Sequence, residues 1–276
     1  MTQTNIKLPG SGYGLLQLEF RKLIGFRSVR LGLIVAFFIP ILLIFAPDDG
    51  LSQVVGSNLI LVSGWQVPGL TLFIVMPFLL PLLVAVTCAE IVGGEVAWGT
   101  LAPLLLRPVS RTRIALSKLF VAVLYPLMLL LVTLLSSLLI GGLRFGFGSF
   151  FGGTGLAEGG FNGIGNLEPV TALFELTRAY LIAGLVLAPI AGLGIVFGIL
   201  YMNTAAAALA SVASIILMRL LAVFTWLKPL LLTEHLDAYS PIRASSFKIE
   251  QSLILLLLYT IACAVAAVAL FERKDL

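Results

Sequence analysis

Long apolar runs alternate with short charged clusters along this chain, and the runs have membrane dimensions. Apolar stretches occur at about residues 31–46, 70–92, 114–141, 179–200, 204–224 and 250–270. An α-helix needs about 20 residues to cross ~30 Å of hydrocarbon at ~1.5 Å per residue. Five runs meet that length, and the first does so with part of the turn before it. The pattern predicts an all-α polytopic membrane protein, a single transmembrane domain over residues 1–276 with six spans.

Residues 1–12 read as a polar tail. From Tyr13 to Ser28, Leu15, Leu16, Leu18, Phe20, Leu23, Ile24 and Phe26 recur at helical spacing among Glu19, Arg21, Lys22 and Arg27. This pattern predicts an amphipathic helix over 13–28 lying in the membrane interface, its charged side toward anionic lipid or a partner. A plain continuation of the first span is the ordinary alternative. Pro77 and Pro81 predict a kink in the second span. The mixed stretch 51–68 fits either a loop or a half-inserted helix. Eleven glycines between Gly141 and Gly165 predict that 142–175 forms a loop, not a helix. In span four, Gly184, Ala188 and Gly192, and then Gly194 and Gly198, fall at fourfold spacing, which Ala206 and Ala210 continue in span five. Such spacing suits close helix packing in lipid with any neighbouring span. Leu230–Leu236 is expected to form a short helix dipping toward the bilayer.

Composition agrees with this pattern. Hydrophobic residues make up 60% of the 276 and charged residues only 11%, less than half the share usual in a soluble domain. The net charge of +4 sits at span flanks, which points to inside loops and away from nucleic acid. Eleven of the 17 basic residues fall in segments that would share one side: Lys7, Arg21, Lys22, Arg27, Arg30, Arg107, Arg111, Arg113, Lys118, Arg273 and Lys274. By the positive-inside tendency both termini are then cytoplasmic in a multi-pass cell-membrane protein. Some thirty residues carrying Arg21, Lys22, Arg27 and Arg30 precede the first apolar run, unlike a cleavable signal. Cys88 and Cys263 lie within apolar runs and read as small core residues, and His235 has no companion ligand in the sequence.

Catalytic motifs are missing. There is no G-x-x-x-x-G-K-[ST] loop, no H-E-x-x-H and no G-x-S-x-G, so the chain is expected neither to be an enzyme nor to bind a cofactor or metal. Glu90 and Arg219 are the charges within spans, and each lies within snorkelling reach of an interface.

The basic stretch between spans two and three carries a specific pattern. Glu95-Val-Ala-Trp-Gly99-Thr100-Leu101 leads into Leu104-Leu-Leu-Arg107-Pro108-Val-Ser-Arg111, and Lys118 follows. This resembles the loop between helices two and three of ATP-binding-cassette (ABC) transporter permeases of the second exporter class. That family shows Glu-Arg-x-x-Gly-Thr-Leu, then Pro-Val-Ser-Arg, then Gly-Lys. Val96 replaces the usual basic residue, and Ser117 the Gly before Lys118. The layout is similar along the whole chain, whereas the letters match over about thirty residues.

The resemblance implies a permease subunit that moves a hydrophobic or amphipathic substrate. Two such subunits, identical or homologous, would sit over two cytosolic P-loop ATPases that hold ATP and Mg. A short coupling helix within Leu101–Leu106 would dock on the ATPase, braced by the N-terminal helix. Glu95, Gly99, Thr100, Leu101, Leu104, Arg107, Pro108 and Arg111 would form that interface, with Thr100 as an N-cap and Arg107 and Arg111 pairing with acids of the ATPase or with lipid headgroups. The alternatives are an ABC-linked subunit that transmits force without cargo, and a stand-alone carrier or channel.

Overall fold

The computed structural model describes residues 12–46, 63–100, 110–151, 166–239 and 249–273. Eight α-helices form within them: α1 (Gly12–Gly25), α2 (Arg27–Ile44), α3 (Gln66–Val75), α4 (Leu79–Ala97), α5 (Arg111–Phe145), α6 (Pro169–Tyr201), α7 (Thr204–Leu221) and α8 (Ile249–Arg273). Six of them, α2 and α4 to α8, are long and apolar enough to cross a membrane. The chain is a multi-pass α-helical membrane protein. The tail 1–11, the stretch 101–109 with the expected coupling helix, and most of the glycine-rich segment lie outside the described residues.

Helices α4 and α6 form the centre, with 67% and 72% of their most apolar windows buried, whereas α2, α7 and α8 run along the outside at 17–22%. The small residues of α6 are distributed over several neighbours. A Cβ on Gly194 would sit 2.7 Å from the Cβ of Cys88, and one on Gly198 would meet Val92 and the Ala89 carbonyl of α4. Gly192 faces Cys263 of α8 instead. Bare backbone at 194 and 198 therefore brings the two central helices into direct contact, as packing in lipid requires.

Several expected boundaries shift. The second span is two helices. Pro77 carries no N–H to continue the ladder, and the chain turns at Met76–Phe78 with Phe78 at φ −140° before α4 starts. Pro81 falls in the first turn of α4, where N–H groups lack intrahelical partners anyway. The loop expected over 142–175 is shorter at both ends. Helix α5 continues to Phe145 because Gly141 fits closely against Gly64 and Val67, and α6 starts at Pro169 behind Glu168, a favoured first helical position for proline. A two-residue antiparallel ladder pairs Phe150–Phe151 with Asn166–Leu167 across the intervening segment.

The bundle has two distinct ends. At one, Gly64 N–H donates to the Gly146 carbonyl, and 3₁₀ turns at Lys228–Leu230 and Leu232–Tyr239 form a cap over α6 and α8. These turns correspond to the short helix expected at 230–236. His235 is buried there, between the Ser252 hydroxyl at 2.8 Å and the Pro229 carbonyl at 3.1 Å. A carbonyl can only accept, so Nε2 carries a proton toward Pro229, and the Ser252 hydroxyl, able to donate or accept, holds Nδ1. The opposite end gathers α1, the C-termini of α4, α6 and α8, and the N-termini of α2, α5 and α7.

Candidate functional site

Four charged side chains close a ring at that second end. Lys22 Nζ lies 3.1 Å from Glu19 Oε1 and 2.8 Å from Glu95 Oε1, while Lys118 Nζ lies 3.0 Å from Glu19 Oε2 and 2.6 Å from Glu95 Oε2. Acid and base alternate around the ring, so it is neutral as a whole. Three contacts are aligned hydrogen bonds. The shortest, between Lys118 and Glu95, is a charge contact without that alignment. The side chains of Glu19 and Glu95 are 2% exposed and that of Lys118 1%, whereas Lys22 keeps 29%.

Helical periodicity places each member. Lys118 stands among Ile114, Ala115, Val121, Ala122 and Tyr125, all buried on one face of α5. Glu95 continues the face of Cys88, Ile91 and Val92 on α4. Glu19 lies on the inner face of α1, four residues before the fully buried Leu23. All three occupy core positions of otherwise apolar stripes. Burying such charges is costly unless every one is paired, and the ring pairs each with two opposite charges.

This corrects the expectation for the N-terminal helix. Glu19 and Lys22 turn toward the bundle, not toward lipid, and among the named charges of that helix Arg21 alone stays exposed. Arg27 is not part of it. Gly25 and Phe26 end α1 with Phe26 extended at ψ 138°, and Arg27 begins α2. The buried Phe26 ring packs against Trp98 with centroids 5.6 Å apart, and Arg30 donates to the Gly25 carbonyl at 3.3 Å. Helix α1 is thereby fastened to both sides of the α4–α5 connection.

Where α4 ends, the chain closes a Schellman motif. Gly99 takes φ +66°, its N–H donates to Val96, and the Thr100 N–H donates to Glu95 at 2.9 Å. The Thr100 hydroxyl also reaches the Glu95 carbonyl at 3.3 Å. Both groups of Thr100 thus complete the helix behind it. Leu101, Leu104, Arg107 and Pro108 lie outside the described residues. Past them, Arg111 donates to the Glu272 carbonyl at 3.4 Å and the Thr112 hydroxyl to the Glu272 carboxylate at 2.6 Å. That pair of bonds ties the start of α5 to the end of α8.

For Lys22, burial disfavours the charged form. The hydrogen bond to Glu95 and the charges of Glu19 and Glu95 outweigh it and hold the ammonium above its ordinary value. No group of three or more His, Cys, Asp or Glu side chains arranged for a metal occurs among the described residues.

The architecture defines a multi-pass membrane protein with a neutral charge ring buried at one end of its bundle. The chain belongs to the DUF2705 family, described as a protein of unknown function, whose profile matches residues 33–276. Glu95 and Lys118 fall within the matched stretch, and Glu19 and Lys22 precede it. The chain is also similar to YhcI, an uncharacterized protein of Bacillus subtilis strain 168, at 28% identity over 211 residues. That alignment covers 69% of this chain and 63% of the relative, so the chain spans less than two thirds of that protein's length.

Proposed function

We propose that the chain is the membrane-spanning permease subunit of an ATP-driven exporter, and that the ring end faces the cytoplasm and receives work from a separate ATPase. The observation that carries this reading is the position of the ring. Glu95 and Lys118 lie on the two helices joined by the 98–110 connection, and both are tied to α1. A push on that connection therefore reaches α4 and α5 through paired charges instead of being absorbed in a loose joint. Rigid-body closure of a docked ATPase is a motion of the kind such a joint transmits. The family likeness of the Glu95–Lys118 stretch supplies the partner, two cytosolic P-loop ATPases with ATP and Mg. The basic residues grouped at this end support a cytoplasmic placement, with both termini on the cytoplasmic side of the cell membrane.

A hydrophobic or amphipathic cargo suits a bundle whose centre carries few charges. The full chain, expressed with its neighbouring proteins and purified under mild detergent, should bring down a P-loop ATPase whose hydrolysis in liposomes depends on it. Lys118→Met should reduce transport per ATP consumed. Flux of equal rate with no ATPase present would reject the reading and leave a stand-alone carrier.

A further inference from the structure

At the cap end, Pro77 of the α3–α4 break lines two adjoining depressions. One is a narrow apolar crevice between α4 and α7, walled by Pro77, Phe78, Pro81, Leu82, Ile215 and Ile216. The other is a cleft of about 220 Å³ lined by Pro77, Arg219, Thr233, Glu234, Leu236 and Asp237. One water occupies ~30 Å³ of liquid, so the cleft has room for a group of several heavy atoms.

Three of its polar groups form no ion pair or side-chain hydrogen bond with another described residue. Arg219, in the last turn of α7, forms no ion pair with another described residue, and neither does Glu234. The Thr233 hydroxyl is buried without a hydrogen-bond partner among the described residues. A buried hydroxyl left in that state is unfavourable, and native folds rarely keep one. Asp237 already has an interaction of its own and stands apart from these three.

We propose that the crevice and the cleft are one binding site for a phospholipid whose headgroup carries a phosphate and a primary ammonium, the ethanolamine class. An acyl chain runs along the lipid-facing surface past the exposed Phe78 and Ile216, and the crevice, about 10 Å³ and too small to enclose it, takes only the side of that chain. The phosphate meets the Arg219 guanidinium, whose fork of donors suits it, and takes a hydrogen bond from Thr233. The ammonium donates to Glu234. Arg219 sits at the end of an apolar 18-residue helix, the depth at which headgroups lie. A soluble phosphoamine would fill the cleft but has no use for the crevice. The site needs only the membrane-spanning bundle and no ATPase, so it stands or falls separately from the transport reading.

Native mass spectrometry of the full chain, incubated in detergent with matched-chain ethanolamine, choline or glycerol phospholipid, tests it. Ethanolamine lipid should be retained about tenfold better than the other two, the ratio that one charge-assisted hydrogen bond supplies. Choline's methyl groups remove the N–H donors, and the glycerol headgroup has no cation. Glu234→Gln should abolish the preference. Arg219→Gln should weaken retention of all three lipids, while Arg219→Lys, which keeps the charge and guards against misfolding, should keep the order. Equal retention of the three by the unaltered chain, or a preference that survives Glu234→Gln, would overturn the proposal. So would displacement of the lipid by an equal concentration of soluble phosphoethanolamine, which would make the ligand a water-soluble one.

Discussion

Lys118 Nζ stands 2.6 Å from Glu95 Oε2, and the connection between α4 and α5 leaves and re-enters the bundle beside this contact. The two residues are 23 positions apart in sequence, yet they clasp the base of that connection in a site closed to water. Neither is a stable arrangement alone. Each needs the other, and both need Glu19 and Lys22 to complete the balance of charge.

Removing one corner should therefore cost more than removing two. Lys118→Met leaves two buried carboxylates facing the single Lys22, and breaking a buried pair in this way costs about 3–5 kcal/mol. Adding Glu95→Gln restores neutrality, with one acid and one base remaining, and should recover part of the loss. Thermal unfolding in detergent of the two single variants and the double variant measures the coupling. Additive losses would show that the four charges do not act as a ring.

The pH dependence follows from Lys22, the corner nearest water. Its folded value lies above the ordinary 10.5, because the two glutamates favour the ammonium more than burial disfavours it. A raised value means that the contribution to stability is complete below about pH 10.5 and is lost as pH rises through the folded value. Stability should show no dependence on this group at neutral pH. Above pH 10.5 it should fall more steeply in the unaltered chain than in Lys22→Met, which has no proton to lose. Unfolding curves taken across the alkaline range give both slopes.

Much of this bundle is legible in the amino-acid order alone. Six spans follow from run length, and six of the described helices are long and apolar enough to cross a membrane, although the second expected span is divided between α3 and α4. The departures have physical causes. Pro77 is expected to bend a helix, but a residue with no N–H beside Met76 and Phe78 interrupts it, and no periodicity distinguishes the two outcomes. Glycines 141 and 142 argue against helix by propensity, and the close approach of Gly64 overrides propensity. The ring is half visible. Glu95 and Lys118 are marked by their family-like stretch, and Glu19 and Lys22 by the N-terminal pattern, but nothing in either pattern pairs them. The available signal is that Glu19, Glu95 and Lys118 each sit at a core position of an apolar stripe. A lone charge there needs a partner on another helix, and here two acids and one base have to be matched, with Lys22 one turn from Glu19.

The contact between α4 and α6 depends on bare backbone. A side chain at 194 would press on Cys88 and on the Ala85 carbonyl, 3.1 Å from the added Cβ. A carbonyl on the opposing helix cannot move aside as a flexible side chain can. Gly194→Leu should destabilise the bundle by about 1–3 kcal/mol through overpacking, and Gly194→Ala by less. Gly25→Leu, at a position where an added Cβ meets nothing within 4 Å, should leave the α4–α6 contact intact. Cysteine crosslinking across α4 and α6, read beside thermal stability, separates loss of that contact from general unfolding.

The turn at Gly99 offers a change that touches no neighbour. Its φ of +66° is what directs the chain out of α4, and an added Cβ would meet nothing within 4 Å. Any cost of substitution is therefore conformational, about 1–2 kcal/mol for a residue with a Cβ forced into the left-handed region. Asparagine visits that region more readily than alanine, and valine resists it most. Stability should decline in the order Gly99, Asn, Ala, Val, while the ring, whose members lie within α1, α4 and α5 and not in the turn itself, keeps its pairs. If the connection beyond Thr100 receives work from an ATPase, Gly99→Val misdirects that connection, and ATP hydrolysis should continue with less transport per turnover. A variant that loses stability in the stated order but transports with unchanged efficiency would place the point of coupling elsewhere on the molecule.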